Sequence, residues 1–365
     1  MGPVRLRHFH IPSSPSQGLY PDYQTAAAVQ ELFRRRLLDL KDNNNDNNTK
    51  SNNRGHGTFS PASLAHPTLI SFTPKPTYTL GRRQASFSSM TNSQSATLSP
   101  AEITRLKAPL YIPASASAQA HGHLIAEDSS DNNNHTSATT ASTQNGHIFH
   151  PSLLSSPRGG LATYHGPGQV VLWPVMVIKS NSASAPLGYK SFTVRCYSRL
   201  LENTTIALLQ RLFGLKGFTT DDPGVWVRTP FDNVRKISAL GIHLRRHVSS
   251  LGAAINLDMP TTTTTTTMTS VAAADEQQNP WTRFVACGLE GKGVTCVEEE
   301  LRTAGGSGIH GVDAETVARA WAEELAVRME LHPRDVERVA RDEVAEVVET
   351  ARREGFVDAM AADEI

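Results

Sequence analysis

Apolar residues recur with two different periods along this chain, and the period separates predicted strands from predicted helices. From Val4 a short alternating stretch leads to TAAAVQELFRRRLLDL (25–40), whose apolar positions have helical spacing. That order predicts a strand followed by a helix. PTLISFTPKPTYTLGRR (67–83) combines β-branched and aromatic residues with a proline-rich break and a turn at Gly81, so it predicts further strands.

The densest apolar patterning lies in the second half of the chain. QVVLWPVMVIK (169–179) predicts a buried strand, and TVRCYSRLLENTTIALLQRLFG (193–214) predicts a helix that ends at a glycine. The predicted buried face of that helix consists of Cys196, Leu200, Ile206, Leu209 and Phe213. Three successive strands are predicted at GVWV (224–227), KISALGIHLRR (236–246) and GAAINLDM (252–259). The mixed order of strands and helices predicts an α/β or α+β fold.

Polar tracts of low complexity interrupt these elements. An asparagine-rich tract covers 42–53, a Ser, Thr, Asn and Ala-rich interval covers 84–150 with faint helical spacing at 101–106, and a threonine run follows residue 260. Such segments cannot bury enough apolar surface to order themselves. We therefore expect one domain over 1–310, interrupted by disordered insertions at about 42–60, 84–150 and 260–279.

The last part of the chain differs from the rest in charge. From residue 311 onward it carries fifteen acids against seven arginines, and residues 313–365 have a helical composition. We expect 311–365 to form an acidic helical extension.

Composition excludes several classes of protein. The 365 residues carry 35 Lys and Arg against 35 Asp and Glu, so no global field favours nucleic acid or an anionic membrane. No apolar run is long enough to span a bilayer and no signal-peptide core is present, so we expect a soluble protein. Three cysteines are too few and too irregularly spaced for a disulfide framework or a zinc cluster.

Five short motifs together resemble one family. They are TYTLGRR (77–83), RGGLATYHGPGQ (158–169), GVWV (224–227), KISALG (236–241) and ACGLEGKGVT (286–295). The chain is similar to lipoyl(octanoyl) transferases, the LipB family of lipoate biosynthesis, in a fungal-type form with low-complexity insertions. The resemblance implies a mixed β-sheet flanked by helices, like the catalytic domain of biotin and lipoate protein ligases.

The resemblance also implies a reaction, its partners and a location. An octanoyl group leaves octanoyl-acyl carrier protein, forms a thioester with a cysteine, and ends on a lysine of a lipoyl domain. The implied acceptors are the lipoyl domains of 2-oxoacid dehydrogenase E2 subunits and the glycine cleavage H protein. No cofactor, metal, nucleic acid or membrane is implied, and the pathway implies a mitochondrial location.

The chemistry is consistent with the residues at one of these motifs. A thioester is already activated, so acyl transfer to an amine needs no ATP but does need a nucleophile that is also a good leaving group, which a thiolate is. Cys287 follows an apolar run and precedes a glycine. An adjacent ammonium would lower the pKa of a thiol, and the family places its activating lysine at Lys236. The same lysine could accept the proton of the incoming amine.

The resemblance assigns three segments to the acyl pocket. Small residues in these segments suit a narrow slot for an eight-carbon chain. The implied substrate-binding residues are Arg158, Gly159, Gly160, Leu161, Ala162, Thr163, Tyr164, His165, Ala239, Leu240, Gly241, Gly252, Ala253 and Ala254. The first segment lacks the G-x-x-x-x-G-K-[ST] spacing of a phosphate-binding loop. Tyr164 and His165 are expected to form a wall of the slot near Cys287.

Each of these residues has a structural alternative. A cysteine in an apolar segment is usually a small core residue, and this interpretation is kept for Cys196 and Cys296. Lys236 directly precedes an apolar strand, which fits a partly desolvated ammonium, whereas Arg235 fits a solvated charge better. His165 is either a packed histidine or a base paired with Cys287, and we interpret it as a pocket wall.

Three other functions stay open at this point. The first is an ATP-dependent lipoate or biotin ligase, which would share the fold. The second is a non-catalytic member of the same fold, because Leu251 stands where the family commonly has a histidine. The third is a Cys/His hydrolase that uses Cys287 and His165, although no papain or caspase signature is present.

Overall fold

The computed structural model describes residues 4–45, 66–85, 98–113, 146–179, 187–229, 233–261, 276–284, 292–361 and 365. Helices within these ranges are α1 (Tyr23–Asn45), α2 (Arg82–Ala85), α3 (Pro100–Lys107), α4 (Val194–Phe213), α5 (Val297–Thr303), α6 (Ala314–Arg328), α7 (Arg341–Arg353) and α8 (Phe356–Ala361). Short 3₁₀ turns occur at Pro15–Gln17, Pro280–Arg283 and Pro333–Asp335.

The strands form one large sheet, one small sheet and a hairpin. They are β1 (Leu6–His10), β2 (Thr68–Phe72), β3 (Thr77–Leu80), β4 (Leu110–Pro113), β5 (Gly146–Phe149), β6 (Ser152–Ser155), β7 (Ala162–His165), β8 (Gln169–Val175), β9 (Gly224–Arg228), β10 (Val234–Arg245), β11 (Val248–Asn256), β12 (Gly293–Val294) and β13 (Val336–Arg338). The large sheet has the order β12-β10-β11-β8-β2-β1-β13, with β9 also paired to β10. Parallel and antiparallel pairs both occur in it, so the predicted mixed sheet is confirmed.

Helices cover both faces of the large sheet because its central strands are apolar on both sides. In β8, Val170 and Leu172 face the first core, which α4 and α6 cover, whereas Val171 and Trp173 face the second core, which α1 and α7 cover. Successive side chains of a strand point to opposite faces, so a continuous apolar run predicts a strand buried on both sides. The predicted flanking helices are thus confirmed.

A third core lies under the small sheet, whose order is β6-β3-β7. Its largest members are Tyr78, Tyr164 and Trp281. Leu106 from α3 and Leu110 from β4 join this core. The expectation that 84–150 is largely disordered is therefore wrong for 84–85, 98–113 and 146–150, while 86–97 and 114–145 lie outside the described residues.

Parts of the predicted insertions at 42–60 and 260–279 are ordered, contrary to the expectation from their polar composition. Residues 42–45 continue α1, and the carboxylate of Asp42 accepts a 3.0 Å hydrogen bond from Arg246. At the other insertion, the Gln277 carbonyl accepts a 2.7 Å bond from the amide of Tyr111. Tertiary partners order these residues, and residue composition does not reveal such partners. Residues 46–65 and 262–275 lie outside the described part of the chain.

The C-terminal segment joins the same sheet. β13 pairs in parallel with β1, and Trp321 of α6 is fully buried in the first core. The helical prediction for 313–365 is confirmed for α6, α7 and α8, whereas β13 was not predicted. The division between 1–310 and 311–365 stays a prediction, although these contacts argue against a separable extension.

Candidate active site

A narrow cavity opens where β10 and β11 pair, on the face of the large sheet that α1 covers. Its empty space is about 380 Å³, including the mouth toward solvent. The lining residues are Tyr23, Arg158, Thr163, His165, Trp173, Ala239, Leu240, Gly241, Leu251, Gly252, Ala253 and Ala254. All three segments that the sequence resemblance assigned to a pocket therefore contribute to one cavity.

Residues with small side chains create this space. Across the two strands, Ala239 pairs with Ala254 and Gly241 pairs with Gly252. A Cβ atom on Gly252 would lie 2.1 Å from the Leu172 carbonyl oxygen, and one on Gly241 would lie 2.7 Å from Cδ of Arg158. Larger residues at these positions would fill the slot or push neighbouring strands apart.

Only part of the predicted segment 158–165 lines the cavity. Arg158, Thr163 and His165 do so. Gly159 is exposed, and Gly160 and Leu161 are half-buried outside the cavity. Ala162 and Tyr164 face the third core, because alternate side chains of β7 point to opposite sides.

Tyr164 is therefore not a wall of the slot, contrary to the sequence-based expectation. Its ring packs against Tyr78 and Trp281, with centroid separations of 5.3 and 5.6 Å. Burial raises the pKa of the Tyr164 hydroxyl well above its ordinary value. Among the described residues its Oη has no hydrogen-bond partner.

Two aromatic lining residues were not predicted from the sequence. Tyr23 begins α1, and its ring lies 5.4 Å from the ring of His165 and 5.1 Å from that of Trp173. The inward position of Trp173 follows from alternation along β8, which could have identified it. No sequence pattern around Tyr23 predicts that α1 covers this cavity.

Arg158 contributes its methylene stem to the cavity and its guanidinium to the backbone around it. Nη2 donates to the carbonyl of Thr79 at 2.6 Å, and Nη1 donates to the carbonyl of Leu161 at 2.8 Å. These bonds join β3 to the loop before β7. The buried guanidinium thereby holds the glycine-rich loop in place.

His165 is the first residue of a buried chain of polar side chains. Its Nδ1 lies 2.8 Å from Oε1 of Gln169, and Nε2 of Gln169 donates to Oδ1 of Asn256 at 2.9 Å. Nδ2 of Asn256 donates in turn to the carbonyl of Thr295 at 2.9 Å. Burial lowers the pKa of His165 to about 4, although the Gln169 bond acts in the opposite direction.

Lys236 lies on β10, three residues before Ala239. It is not among the described residues that line the cavity. Its Nζ donates to the carbonyl of Pro223 at 3.0 Å and lies 4.6 Å from the centre of the Trp226 ring. Val225 and Ile237 face the first core, so Trp226 and Lys236 lie on the opposite face, where the cavity opens. The predicted partly desolvated ammonium is consistent with its burial.

A second lysine contacts the same indole. Nζ of Lys292 lies 5.3 Å from the Trp226 ring centre, and it forms an ion pair with Asp222. The hydrogen bond from Lys292 is the main cause that lowers the pKa of Asp222. Positive charge is thus concentrated around Trp226.

Cys287 lies outside the described residues, in the gap 285–291. The residues that flank this gap are described. Phe284 packs edge-on against Tyr78 at 5.3 Å, and Val294 is paired in register with Lys236. The chain therefore comes back to Lys236 within seven residues of Cys287. The predicted pairing of the two side chains stays a prediction.

The other two cysteines differ from each other. Cys196 is exposed in the first turn of α4, so its predicted burial is wrong. The buried face of α4 lies one residue later and includes Tyr197, Leu200 and Leu201. Cys296 is buried, and burial raises the pKa of its thiol to about 11, which favours a structural role.

The position of Arg235 contradicts its sequence-based interpretation as a solvated charge. It is buried rather than solvated, and its Nη2 lies 2.8 Å from a carboxylate oxygen of Glu300. The helix α5, which carries Glu300, packs over this part of β10. Within the described ranges, no cluster of His, Cys, Asp and Glu could hold a metal ion, and no helix is long and apolar enough to cross a membrane.

Comparisons with known proteins show which proteins the second half of the chain resembles. Residues 149–326 match the lipoyl protein ligase A/B catalytic domain. A mitochondrial octanoyl-[acyl-carrier-protein]:protein N-octanoyltransferase of Danio rerio is 38% identical over 144 residues, which cover 40% of this chain and 50% of the relative. The mitochondrial octanoyltransferase of Saccharomyces cerevisiae is 32% identical over 117 residues, covering 30% of this chain and 32% of the relative.

The chain spans about half the length of the Danio rerio relative, and less of the yeast one. A bipartite lipoate protein ligase from Thermoplasma acidophilum aligns with 98% of this chain and 92% of its own, at 11% identity and a TM-score of 0.45. Residues 149–326 are thus similar to the lipoyl protein ligase A/B catalytic domain, and the relatives named above are octanoyltransferases.

Proposed function

We propose that this protein transfers an octanoyl group from octanoyl-acyl carrier protein to a lysine of a lipoyl domain. The names of the relatives and the family of residues 149–326 support this activity. The acceptors would be the lipoyl domains of 2-oxoacid dehydrogenase E2 subunits and the glycine cleavage H protein. Relatives named as mitochondrial support a mitochondrial location.

The shape of the cavity carries the proposal. Its floor is the pair of strands β10 and β11, where Ala239, Gly241, Gly252 and Ala254 leave a narrow groove. An unbranched acyl chain fits a groove of this kind, and it gains roughly 0.8 kcal/mol for each buried methylene group. The aromatic rings of the wall add apolar contact without closing the groove.

In the proposed reaction Cys287 attacks the acyl carbon of the donor thioester, the bond to the sulfur of the acyl carrier protein breaks and that thiol leaves, and the octanoyl group stays on Cys287 as a new thioester. Lys236 would stabilise the Cys287 thiolate by its positive charge. Its burial near Trp226 supports this role, because a charge acts more strongly where water is scarce. The lysine of the acceptor then attacks the thioester and releases Cys287.

The test is mass spectrometry of the protein after incubation with octanoyl-acyl carrier protein. We expect one octanoyl adduct, located on Cys287, and transfer to a lipoyl domain without ATP. Cys287→Ala should take up no octanoyl group, whereas the matched control Cys196→Ala should behave like the parent, because Cys196 is an exposed cysteine far along the chain from the site.

Two results would contradict the proposal. If the parent carries no adduct, or if Cys287→Ala still does, Cys287 is not the nucleophile. If lipoyl-domain modification requires ATP and free octanoate or lipoate, the protein is a ligase of the same fold.

A further inference from the structure

The GVWV motif (224–227) makes up most of β9 and lies beside Lys236. Lys236 of β10 and Trp226 of β9 are directly opposite each other in this antiparallel pair. The register then shifts between Lys236 and Ser238, so Ile237 is an extra residue on β10. A β-bulge of this kind changes the direction in which neighbouring side chains point.

The bulge brings Lys236 onto the face of the sheet where the cavity opens. Lys236 and Ala239 are three positions apart, and in a regular strand they would point to opposite faces. Ile237 and Leu240 both pack against the first core, and Ala239 packs against the second. The extra residue therefore turns Lys236 toward the side on which Ala239 lines the cavity.

An indole ring and a backbone carbonyl hold the ammonium group of this lysine. Nζ of Lys236 lies 4.6 Å from the centre of the Trp226 ring and donates to the Pro223 carbonyl at 3.0 Å. The ring is itself fixed, because Trp226 is fully buried and its Nε1 donates to the Asp222 carbonyl at 3.1 Å. An aromatic face attracts a cation but not a neutral amine, so the contact favours the charged form of Lys236.

Gly224 leaves the room that the lysine side chain needs. Its φ angle is 123°, and a Cβ atom there would lie 2.4 Å from the Ser238 carbonyl oxygen and 3.5 Å from Cε of Lys236. The amide of Gly224 donates to the buried carboxylate of Glu202 at 3.1 Å. This bond fixes the turn before β9, and with it the position of the Pro223 carbonyl.

The other charges around Lys236 are paired with each other. Lys292 forms an ion pair with Asp222. The hydrogen bond from Lys292 lowers the pKa of Asp222, and the charge of Lys236 acts in the same direction. On the opposite face of β10, Arg235 bonds to Glu300. Burial by itself favours loss of the proton from Lys236, whereas the indole, the carbonyl and the nearby carboxylate favour the ammonium.

We propose that Trp226 is a positioning residue that holds Lys236 as a fixed cation, so that this lysine acts in acyl transfer through its charge and not as a proton acceptor. The part in acyl transfer rests on the proposed function, but the charge of Lys236 can be measured without it. The reaction balances without a proton acceptor on the lysine. The C–S bond of the thioester breaks, a C–N bond forms, and the proton that the amine loses goes to the departing thiolate.

The charge of Lys236 is measured without substrate, by ¹⁵N NMR of the protein labelled at its lysine side chains and titrated with base. The signal that disappears in Lys236→Met identifies the residue. We expect an ammonium at neutral pH in the parent. In Trp226→Leu the midpoint of the titration should fall by about one pH unit, the tenfold weaker proton binding that loss of a cation–π contact implies. Trp226→Phe, with a weaker aromatic face, should lie between the two.

Trp321→Phe is the matched control for Trp226→Phe. Both indoles are fully buried and donate one hydrogen bond, but Trp321 lies in the first core, on the other face of the sheet from Lys236. It should leave the titration of Lys236 unchanged, and this pair serves if leucine at position 226 prevents folding. A neutral Lys236 in the parent at neutral pH, or the same midpoint in both phenylalanine variants, would overturn the inference.

The pH dependence of octanoyl transfer to a lipoyl domain tests the consequence for catalysis. The rate should fall at high pH as Lys236 loses its charge, and in Trp226→Leu this fall should begin about one pH unit lower. A purely structural loss would lower the rate at every pH without moving the limb. A rate that rises as Lys236 loses its proton would show that the lysine is a proton acceptor.

A comparison of two substitutions separates charge from proton transfer. Lys236→Arg keeps a permanent cation that stacks on an indole but cannot accept a proton, so it should transfer octanoyl groups at least about tenfold faster than Lys236→Met. Equal loss in both variants would contradict the role of the charge. If the parent transfers no octanoyl group, the proposed function fails, while the NMR comparison still shows whether Trp226 holds Lys236 as a cation.

Discussion

Leu251 has a backbone conformation that leucine rarely adopts. Its φ angle is 61°, within a strand that is otherwise extended. The pairing of β11 with β8 ends at Ala253 and Leu172, two residues from Leu251, and β8 continues to Pro174, which has no N–H to donate. The Pro174 carbonyl accepts a 2.9 Å hydrogen bond from the hydroxyl of Ser249. This local distortion points residue 251 into the cavity.

Leu251→Val should therefore cost more stability than the same change at a neighbouring position. A β-branched residue is strained at positive φ, by about 1–3 kcal/mol, in addition to the lost methylene. Leu240→Val is the matched control, because Leu240 also lines the cavity and has no positive φ. Chemical denaturation measures both. Equal losses of unfolding free energy would show that residue 251 is not strained.

Lys236→Met should raise the pKa of the Cys287 thiol, because it removes a cation and keeps most of the side-chain volume. The rate of alkylation by iodoacetamide, measured against pH, should then rise only at higher pH than in the parent. If the pKa of the thiol rises by about one, the alkylation rate at neutral pH should fall about tenfold, because the thiolate is the reactive form. Lys292→Met is the matched control. It also removes a positive charge beside the Trp226 ring, but from a lysine that is more exposed. An unchanged profile in Lys236→Met would remove this lysine from thiolate activation.

At the scale of elements, the antiparallel pair β10 and β11 determines the width of the slot. Its two glycines are directly opposite each other but have different neighbours. Gly252 faces the backbone of β8, whereas Gly241 faces the side-chain stem of Arg158. The β8 backbone cannot move without breaking the sheet, and the Arg158 stem can move only if its hydrogen-bonded guanidinium adjusts.

Gly241→Ala and Gly252→Ala should thus have different effects. Gly241→Ala should destabilise the protein by roughly 1–3 kcal/mol, because the new methyl group displaces the stem of Arg158, and it should favour acyl chains shorter than octanoyl, because the methyl group narrows the slot. Gly252→Ala should destabilise the protein by about 3 kcal/mol or more, because it disrupts the pairing of β11 with β8. Thermal denaturation and competition between hexanoyl and octanoyl donors measure these effects. If Gly241→Ala keeps the parent's preference between hexanoyl and octanoyl donors, the acyl chain binds outside this slot.

At the scale of the whole molecule, the large sheet is closed by segments from both ends of the chain. α1 covers the second core, and α6 completes the first one. The indole of Trp321 donates to the hydroxyl of Thr205 at 3.0 Å, and both residues are fully buried. Stability therefore depends on contacts that cross the predicted boundary at residue 310.

Truncation after residue 310 should abolish cooperative unfolding, because it removes α6 and exposes the first core to water. Truncation after residue 355 removes only α8 and should lower the melting temperature without abolishing the transition. Near-ultraviolet circular dichroism during heating distinguishes the two. A parent-like transition in the shorter protein would establish 311–365 as a separate extension.

The protein should lose stability as the pH falls from 6.5 to 4, at pH values higher than those that protonate its carboxylates. Burial lowers the pKa of His165 to about 4 and that of His8 to about 3, from 6.5 for each. Between pH 6.5 and 4 the unfolded state binds more protons than the folded state, so the free energy of unfolding falls as pH falls. The loss is roughly 3 kcal/mol for each histidine at most.

Denaturant titrations across this pH range measure the effect. His165→Asn should reduce the pH dependence, whereas His150→Asn, an exposed histidine, should leave it unchanged. A pH dependence that is the same in both variants would show that His165 is not buried as a neutral ring.

Local pattern along the chain was enough to predict most of the central elements. β8 to β11 and α4 were predictable because buried strands and amphipathic helices need apolar residues at fixed spacing. Short motifs also indicated the three segments of the cavity, because a narrow groove requires small residues at its floor. Cys287 and Lys236 were named from chemistry and resemblance, and their pairing stays a prediction.

Which side chains of these segments meet depends on how the elements pack together. Tyr23 lines the cavity because α1 packs across the sheet. Tyr164 does not line it, because alternate side chains of β7 point toward the third core. The burial of Arg235, the exposure of Cys196 and the ordering of 98–113 depend on partners distant in sequence. The polar chain from His165 to Thr295 joins residues 130 positions apart, and only packing of the two sheets brings them within hydrogen-bond distance.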